Sequence, residues 1–351
     1  MMVGKNIMKT LRRLLPAVLA AAGLALAANS CYVHEWPDAD ENGEAPFLLH
    51  LDFSTEMPLY REILYTRAGQ TPHDMRYTVR VYRTGEARTD GQTFVFTRPE
   101  NLSPDCTLEL SLEAGEYDFF VWADYVESGS RADKYYDTGD FNSVTLISRD
   151  SHAGSEEHRD AFRGFASATV LPLVDVETDT VPGNEVRVPM QRPMGRYEFI
   201  STDADLFLER VAKARGIALF ADTSAGGIDL NDFRVVFSYN AFMPCTFNLF
   251  TDKPSDSWTG VRYESRLELT GEGIAMGFDY IFVNGAETLM NLRVDVYDAA
   301  GELVASVPSV EVPVVRSRLT LVKGEFLTSY GSGGVAVNPG FDGPDYNVEI
   351  K

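Results

Sequence analysis

PFLLHLDF, residues 46–53, places Phe47, Leu49, Leu51 and Phe53 at every second position. Side chains of an extended strand alternate between its two faces, so these four share one side while His50 sits on the other. Such a segment reads as a strand half-buried in a sheet. The same period returns in Met75, Tyr77, Val79 and Val81, in Phe94 and Phe96, and in Leu108, Leu110 and Leu112. After the turn Glu113-Ala114-Gly115-Glu116 it resumes in Tyr117, Phe119, Val121 and Ala123. Val144 with Leu146, then Ala166, Ala168 and Val170, then Val186 and Val188 carry it towards Pro193. Between these runs, Asp124–Asp140 and residues 148–163 read as long polar loops at an end of a sandwich.

A second series begins at Met194–Ile200. Thr202 or Asp203 can cap a helix over Leu206–Arg215, with Asp205 in its first turn, Lys213 and Arg215 in its last, and Gly216 as its stop. Strands resume at Val235, Phe237 and Tyr239, at Leu267 and Leu269, and at Met276, Phe278, Tyr280 and Phe282. Asn284-Gly285 is a hairpin signal if its flanks pair. Asp298-Ala299-Ala300-Gly301 predicts a hairpin between Leu292, Val294, Val296 and Leu303, Ala305, Val307. Leu319 and Leu321 mark a late strand, and Tyr346–Ile350 either a last strand or a strand offered to another chain. Two runs of short strands with one short helix predict an all-β protein: two tandem antiparallel β-sandwich domains over 46–193 and 194–351.

Upstream, residues 1–30 contain Lys5, Lys9, Arg12 and Arg13, no acid, and an apolar stretch from Leu14 to Ala28. Leu14–Ala28 is short for a membrane span, which needs about 20 apolar residues. A basic start, an apolar middle and small residues before Cys31 describe a secretory signal of the lipoprotein kind, cut so that Cys31 becomes the acylated first residue. Acyl chains of the palmitate class tether firmly, at about 0.8 kcal/mol per buried methylene. Residues 31–45 are acidic and proline-bearing, and read as a tether. Losing four cations and no acid takes the net charge from −21 to −25. That balance excludes nucleic acid and anionic lipid heads as partners.

Nothing in the sequence marks an enzyme. There is no GxSxG, no phosphate-binding glycine loop, no CxxC pair and no zinc-type spacing. Cys106 shares parity with Leu108 and reads as a core thiol, and a bridge to the distant Cys245 is not expected. His152 and His158 flank Glu156 and Glu157 in a polar loop, which reads as solvated, so no metal site is expected. Asp137, Asp140 and Asn142 offer oxygen ligands, but their spacing departs from the EF-hand pattern and calcium is not favoured. Tyr125, Tyr135, Tyr136 and Trp258 suit either packing or stacking on sugars.

The lipoprotein-type Cys31 and the phrases RDAFRG (159–164), FNLFTDKPSDSWTGV (247–261), GFDYIFVNG (277–285), EVPVVRSRLTLVKGEFLT (311–328) and NPGFDGPDYNVEI (338–350) resemble fimbrillin-type proteins, the fimbrial subunits and anchors of Gram-negative gut and oral anaerobes. The resemblance spans about residues 46–351. It implies two transthyretin-like sandwiches, lipid anchoring at the outer membrane and cell surface, fimbrial subunits as partners, a role in cell adhesion, and no cofactor beyond the lipid on Cys31. In polymerising members a protease removes the first strand after a basic residue, here Arg67 or, as a second candidate, Arg61. In anchor members Phe47, Leu49, Leu51 and Phe53 stay as the filler of their own groove. The alternative expectation is a surface lipoprotein that binds glycan.

Overall fold

The computed structural model describes residues 43–54, 72–89, 91–172, 183–216 and 228–329, and the backbone of two further strands, Asn338–Gly340 and Tyr346–Glu349. The first strands are β1 (Glu44–Asp52), β2 (His73–Arg83), β3 (Gln92–Pro99), β4 (Cys106–Glu113) and β5 (Gly115–Glu127). They are followed by β6 (Tyr136–Asp137), β7 (Val144–Leu146), β8 (Phe162–Val170), β9 (Glu185–Gln191) and β10 (Met194–Ser201). Helix α1 (Ala204–Arg215) precedes β11 (Arg234–Tyr239), β12 (Phe242–Asn248), β13 (Lys253–Thr259), β14 (Arg262–Arg266), β15 (Glu268–Thr270) and β16 (Gly273–Phe282). The chain continues through β17 (Glu287–Tyr297), β18 (Leu303–Val315), β19 (Leu319–Gly324), β20 (Asn338–Gly340) and β21 (Tyr346–Glu349). The fold is all-β with one α-helix among the described residues, as the alternation predicts.

The first sheet runs β3-β2-β5-β8-β9-β1-β4. It rolls over on itself: β1 and β5 are well separated in that order, yet Phe47 of β1 stacks on Phe119 of β5 with centroids 5.0 Å apart. The turn Glu113-Ala114-Gly115-Glu116 therefore does not close a hairpin. β4 pairs with β1, whereas β5 pairs with β2 and β8, so the turn carries the chain from one layer to the other.

Two larger sheets build the second half, in the orders β15-β16-β10-β19-β21-β20 and β14-β11-β17-β18. They meet through aromatic contacts such as Phe199 of β10 against Phe237 of β11, 5.3 Å between centroids. Most pairings are antiparallel, but β1–β9, β10–β19 and β19–β21 are parallel. The hairpin expected across Asp298–Gly301 forms, with Val294 opposite Val307 and Val296 opposite Ala305. Asp298 accepts from the amides of Ala300 and Glu302, both at 2.9 Å, and Gly301 supplies the left-handed φ of 82°. Asn284-Gly285 behaves differently. β16 pairs with β10 and β15 while β17 pairs with β11 and β18, so this turn links two sheets.

A third sheet, β13-β12-β7-β6, joins strands from either side of residue 193, since Thr145 and Val144 of β7 face Thr246 and Phe247 of β12. Around it Trp122, Tyr136, Phe141 and Val144 share one core with Met194, Phe247 and Phe282. Helix α1 begins as the capping residues suggest, but Asp203 makes no cap to its own helix. Its carboxylate accepts from the Thr328 amide at 2.7 Å and hydroxyl at 2.6 Å, pinning the segment after β19. Gly216, at φ 65°, ends the helix with its amide on Ala212 and Lys213.

β10 and β18 come so close that a Cβ on Gly195 would lie 2.2 Å from the Val315 carbonyl oxygen and 2.8 Å from Val314 Cγ1. Backbone cannot give way as a side-chain tip can. Gly195→Ala is expected to destabilise the protein by about 3 kcal/mol, the upper part of the overpacking range, read as a lower midpoint in urea unfolding.

Candidate functional site

β1 lies between β4 and β9. Glu44 to Leu51 face Glu113 to Cys106 in antiparallel register, and Leu48 to Asp52 face Glu185 to Pro189 in parallel register. Phe47 and Leu49 have no exposed surface, and Leu51 and Phe53 are buried. Their partners are Leu108, Leu110, Phe119 and Val121 in the core and, for Phe53, an edge-on Phe162 at 4.9 Å. The opposite face is polar and also tied: His50 bridges Thr107 at 2.9 Å and Glu185 at 3.0 Å, and Asp52 meets Arg187 at 3.0 Å. The strand's end is fixed by the Phe53 amide on Asp105 at 2.8 Å. Full burial of each large apolar side chain contributes about 1.5–3 kcal/mol. β4 has β1 as its one strand partner among the described residues, so β1 holds β4 in the sheet.

A second built feature lies in residues 148–163, which the sequence suggests are a solvated loop. The structure corrects that reading: His152, His158, Arg159 and Asp160 are all buried. The segment dives between the first sheet and β16. Arg159 forms an ion pair with Asp279 of β16 and donates to the Tyr280 carbonyl at 3.2 Å. His152 Nε2 is 2.6 Å from the other Asp279 oxygen, which also accepts from the Tyr239 hydroxyl at 2.6 Å. Asp160 receives two bonds from Arg192, at 2.8 and 2.7 Å, and Glu157 pairs with Arg196. Buried charges persist where partners satisfy them, and each oxygen of Asp279 has one.

Burial alone would raise the Asp279 pKa. The Arg159 charge and the contacts with His152 and Tyr239 outweigh it and hold the carboxyl below its ordinary 3.8. Burial lowers His152 from 6.5, Arg159 adds to the fall, and together they exceed the upward pull of Asp279. The imidazole is therefore neutral in the fold over a range where the unfolded chain is protonated. Its contribution is present above 6.5 and is lost as pH falls through the depressed folded value. Asp279 acts later: its contribution is present above 3.8 and is lost below its own depressed value. His152→Gln is expected to flatten the loss of stability on going from pH 7 to pH 5, measured by urea unfolding at each pH. An unchanged slope would remove His152 from that range.

Of the site residues expected from sequence, Phe47, Leu49, Leu51 and Phe53 come together on β1. Cys31, Arg67 and Arg61 lie outside the described residues. Tyr125 and Tyr136, considered for sugar stacking, are buried, the latter donating its hydroxyl to the Arg159 carbonyl. Trp258 and Tyr135 are half-buried against the larger core. Asp137 and Asp140 accept from the amides of Gly139 and Asn142, two residues ahead of each, as local turns. Cys106 and Cys245 are free thiols; Cys245 is buried and Cys106 is half-buried. Sequence reasoning missed Arg159 and Asp279. The available signal was an acid inside the apolar run Met276–Phe282.

Residues 45–351 match the model of a family described as a family of unknown function, DUF6562, and the chain belongs to that family. No curated protein matches the sequence. Solved structures similar to the chain include the fimbrial anchor protein Mfa2 from Porphyromonas gingivalis, 10% identical, with 75% of this chain and 82% of that chain covered and a TM-score of 0.36. They also include the tip fimbrial protein Mfa3 from the same organism in a C-terminally truncated form, 12% identical, with 75% and 81% covered and a TM-score of 0.31. Both of those proteins are described as fimbrial. No helix among the described residues is long and apolar enough to cross a membrane.

Proposed function

We propose that this protein is a non-enzymatic fimbrial anchor or accessory subunit, held at the outer membrane by lipid on Cys31 and acting in fimbrial assembly and adhesion through β-strand pairing. The observation that carries the reading is the place of β1. It is an interior strand, apolar side chains fill the core beneath it, and β4 depends on it. Pairing of this kind uses backbone hydrogen bonds for affinity and alternate side-chain pockets for register, which is what strand-exchanging subunits need. A retained β1 suits a subunit that keeps its own groove filled and stays attached. Removal of β1 after Arg67 would instead create an apolar groove with unpaired edges, which a strand from a neighbouring subunit would fill.

Replacing Cys31 by Ala tests the attachment. Cells carrying Cys31→Ala are expected to lose the protein from the outer-membrane fraction while still making the folded chain. Unchanged membrane recovery would defeat the lipid tether. Copurification of a fimbrial subunit with the wild-type protein supports the assembly role, and a protein recovered alone from fimbriated cells after crosslinking counts against it.

A further inference from the structure

His158, just before Arg159, points into the junction between β2 and the end of β3. It is buried, its ring lies face to face with His73 at 3.6 Å, and it meets the edge of Tyr125 at 5.3 Å. Two carboxylates flank it: Glu156 is 2.8 Å from Nδ1 and Glu100 is 3.0 Å from Nε2. His73 is 6% exposed; its Nε2 is 3.1 Å from the Tyr135 hydroxyl and its Nδ1 has no partner. A buried imidazole nitrogen left without a partner costs about 1–3 kcal/mol. One ligand atom from each of His73, Glu100 and His158 lies within 4.8 Å of the other two.

We propose that His73, Glu100 and His158 form a binding site for zinc or a closely similar divalent transition metal. Two imidazole nitrogens and one carboxylate suit such an ion, whereas calcium and magnesium prefer all-oxygen sets. Metal–ligand bonds of about 2.0–2.2 Å in a tetrahedron put neighbouring ligand atoms about 3.3–3.6 Å apart. The His158–Glu100 separation of 3.0 Å is already close to that edge. Glu156 on the opposite nitrogen of His158 is the carboxylate partner that fixes a ligating imidazole in one tautomer, so it is a positioning residue. An imidazole ligates in its own plane and the two rings are nearly parallel, 17° apart, so binding requires His73 to turn about its Cβ–Cγ bond and bring a nitrogen to the ion. The site offers three protein ligands, two of them buried imidazoles, and leaves the fourth position to water. It would fasten the segment carrying Arg159 to the edge of the first sheet, next to the Asp279 ion pair.

The test is titration of the full chain, purified in detergent without a histidine tag and stripped of metal, with zinc alone. One zinc per chain is expected, together with a rise in the thermal midpoint. Cobalt in its place should give the visible absorption of a tetrahedral site. Glu156→Gln should weaken zinc by about 10–100-fold. His50→Ala, at a half-exposed histidine on the outer face of β1, should leave binding unchanged. His73→Ala and His158→Ala should abolish it. Glu100→Gln keeps shape at a half-exposed position, so it serves if those variants fail to fold: lost zinc binding with an unchanged far-ultraviolet spectrum supports the site. Absence of stoichiometric zinc on the wild-type chain, or wild-type affinity in Glu100→Gln, would overturn it.

Discussion

Asp279→Ala is expected to destabilise the protein by about 3–5 kcal/mol, because it strands the buried Arg159 guanidinium without its counter-charge. Asp279 is fully enclosed and holds Arg159, His152 and Tyr239 at once. The lost carboxylate leaves three groups short of a partner in a medium where water cannot substitute. Asp279→Asn should cost less, since an amide oxygen still accepts from one of them. Arg159→Met should also cost less than Asp279→Ala: Asp279 keeps His152 and Tyr239 and can take up a proton. Equilibrium urea unfolding of the three variants checks the order, with Asp279→Ala the least stable. If Asp279→Ala matched the wild type, the segment 148–163 would not be fastened through this pair.

Phe47→Ala should cost about 3–5 kcal/mol, and Leu49→Ala about 2–5 kcal/mol, as large-to-small changes in a packed core. Both side chains are fully buried, and Phe47 also loses its stack on Phe119. The loss has a second part. A loosened β1 releases β4, so the damage should spread to Leu108, Leu110 and Leu112, seen as faster hydrogen exchange in β4 than in β17 or β18. His50→Ala, on the outer face, should stay within about 0.5 kcal/mol of the wild type. Equal effects of His50→Ala and Phe47→Ala would mean that β1 is not seated as a core strand.

Strand alternation carried most of the fold. Residues with one face in the core, such as Met75, Tyr77, Val79 and Val81 or Val235, Phe237 and Tyr239, show the period plainly because water meets the other face. Of the strands that the alternation does not reveal, three have a plain physical reason. β12, FMPCTFN, is buried over almost its whole length, so it has no alternation to display. β13, KPSDSWT, and β14, RYESR, face water over much of their surface and look like loop. The two turn signals differ in outcome: Asp298–Gly301 closes the hairpin that its alternating flanks predict, while Asn284-Gly285, whose flanks pair in different sheets, crosses between them. The strand slot was visible in Phe47, Leu49, Leu51 and Phe53. The buried clasp was not, because SRDSHAGSEEHRDAFR has the composition of a solvated loop and its partner Asp279 lies more than a hundred residues away.

Mass spectrometry of the N-terminus of protein extracted from the outer membrane tests the central claim most directly. An acylated Cys31 continuous with residues 32–67 is the expected result: a lipid-held chain that keeps β1 in its own sheet. A mature start at Ala68, or an unacylated start anywhere else, would contradict it.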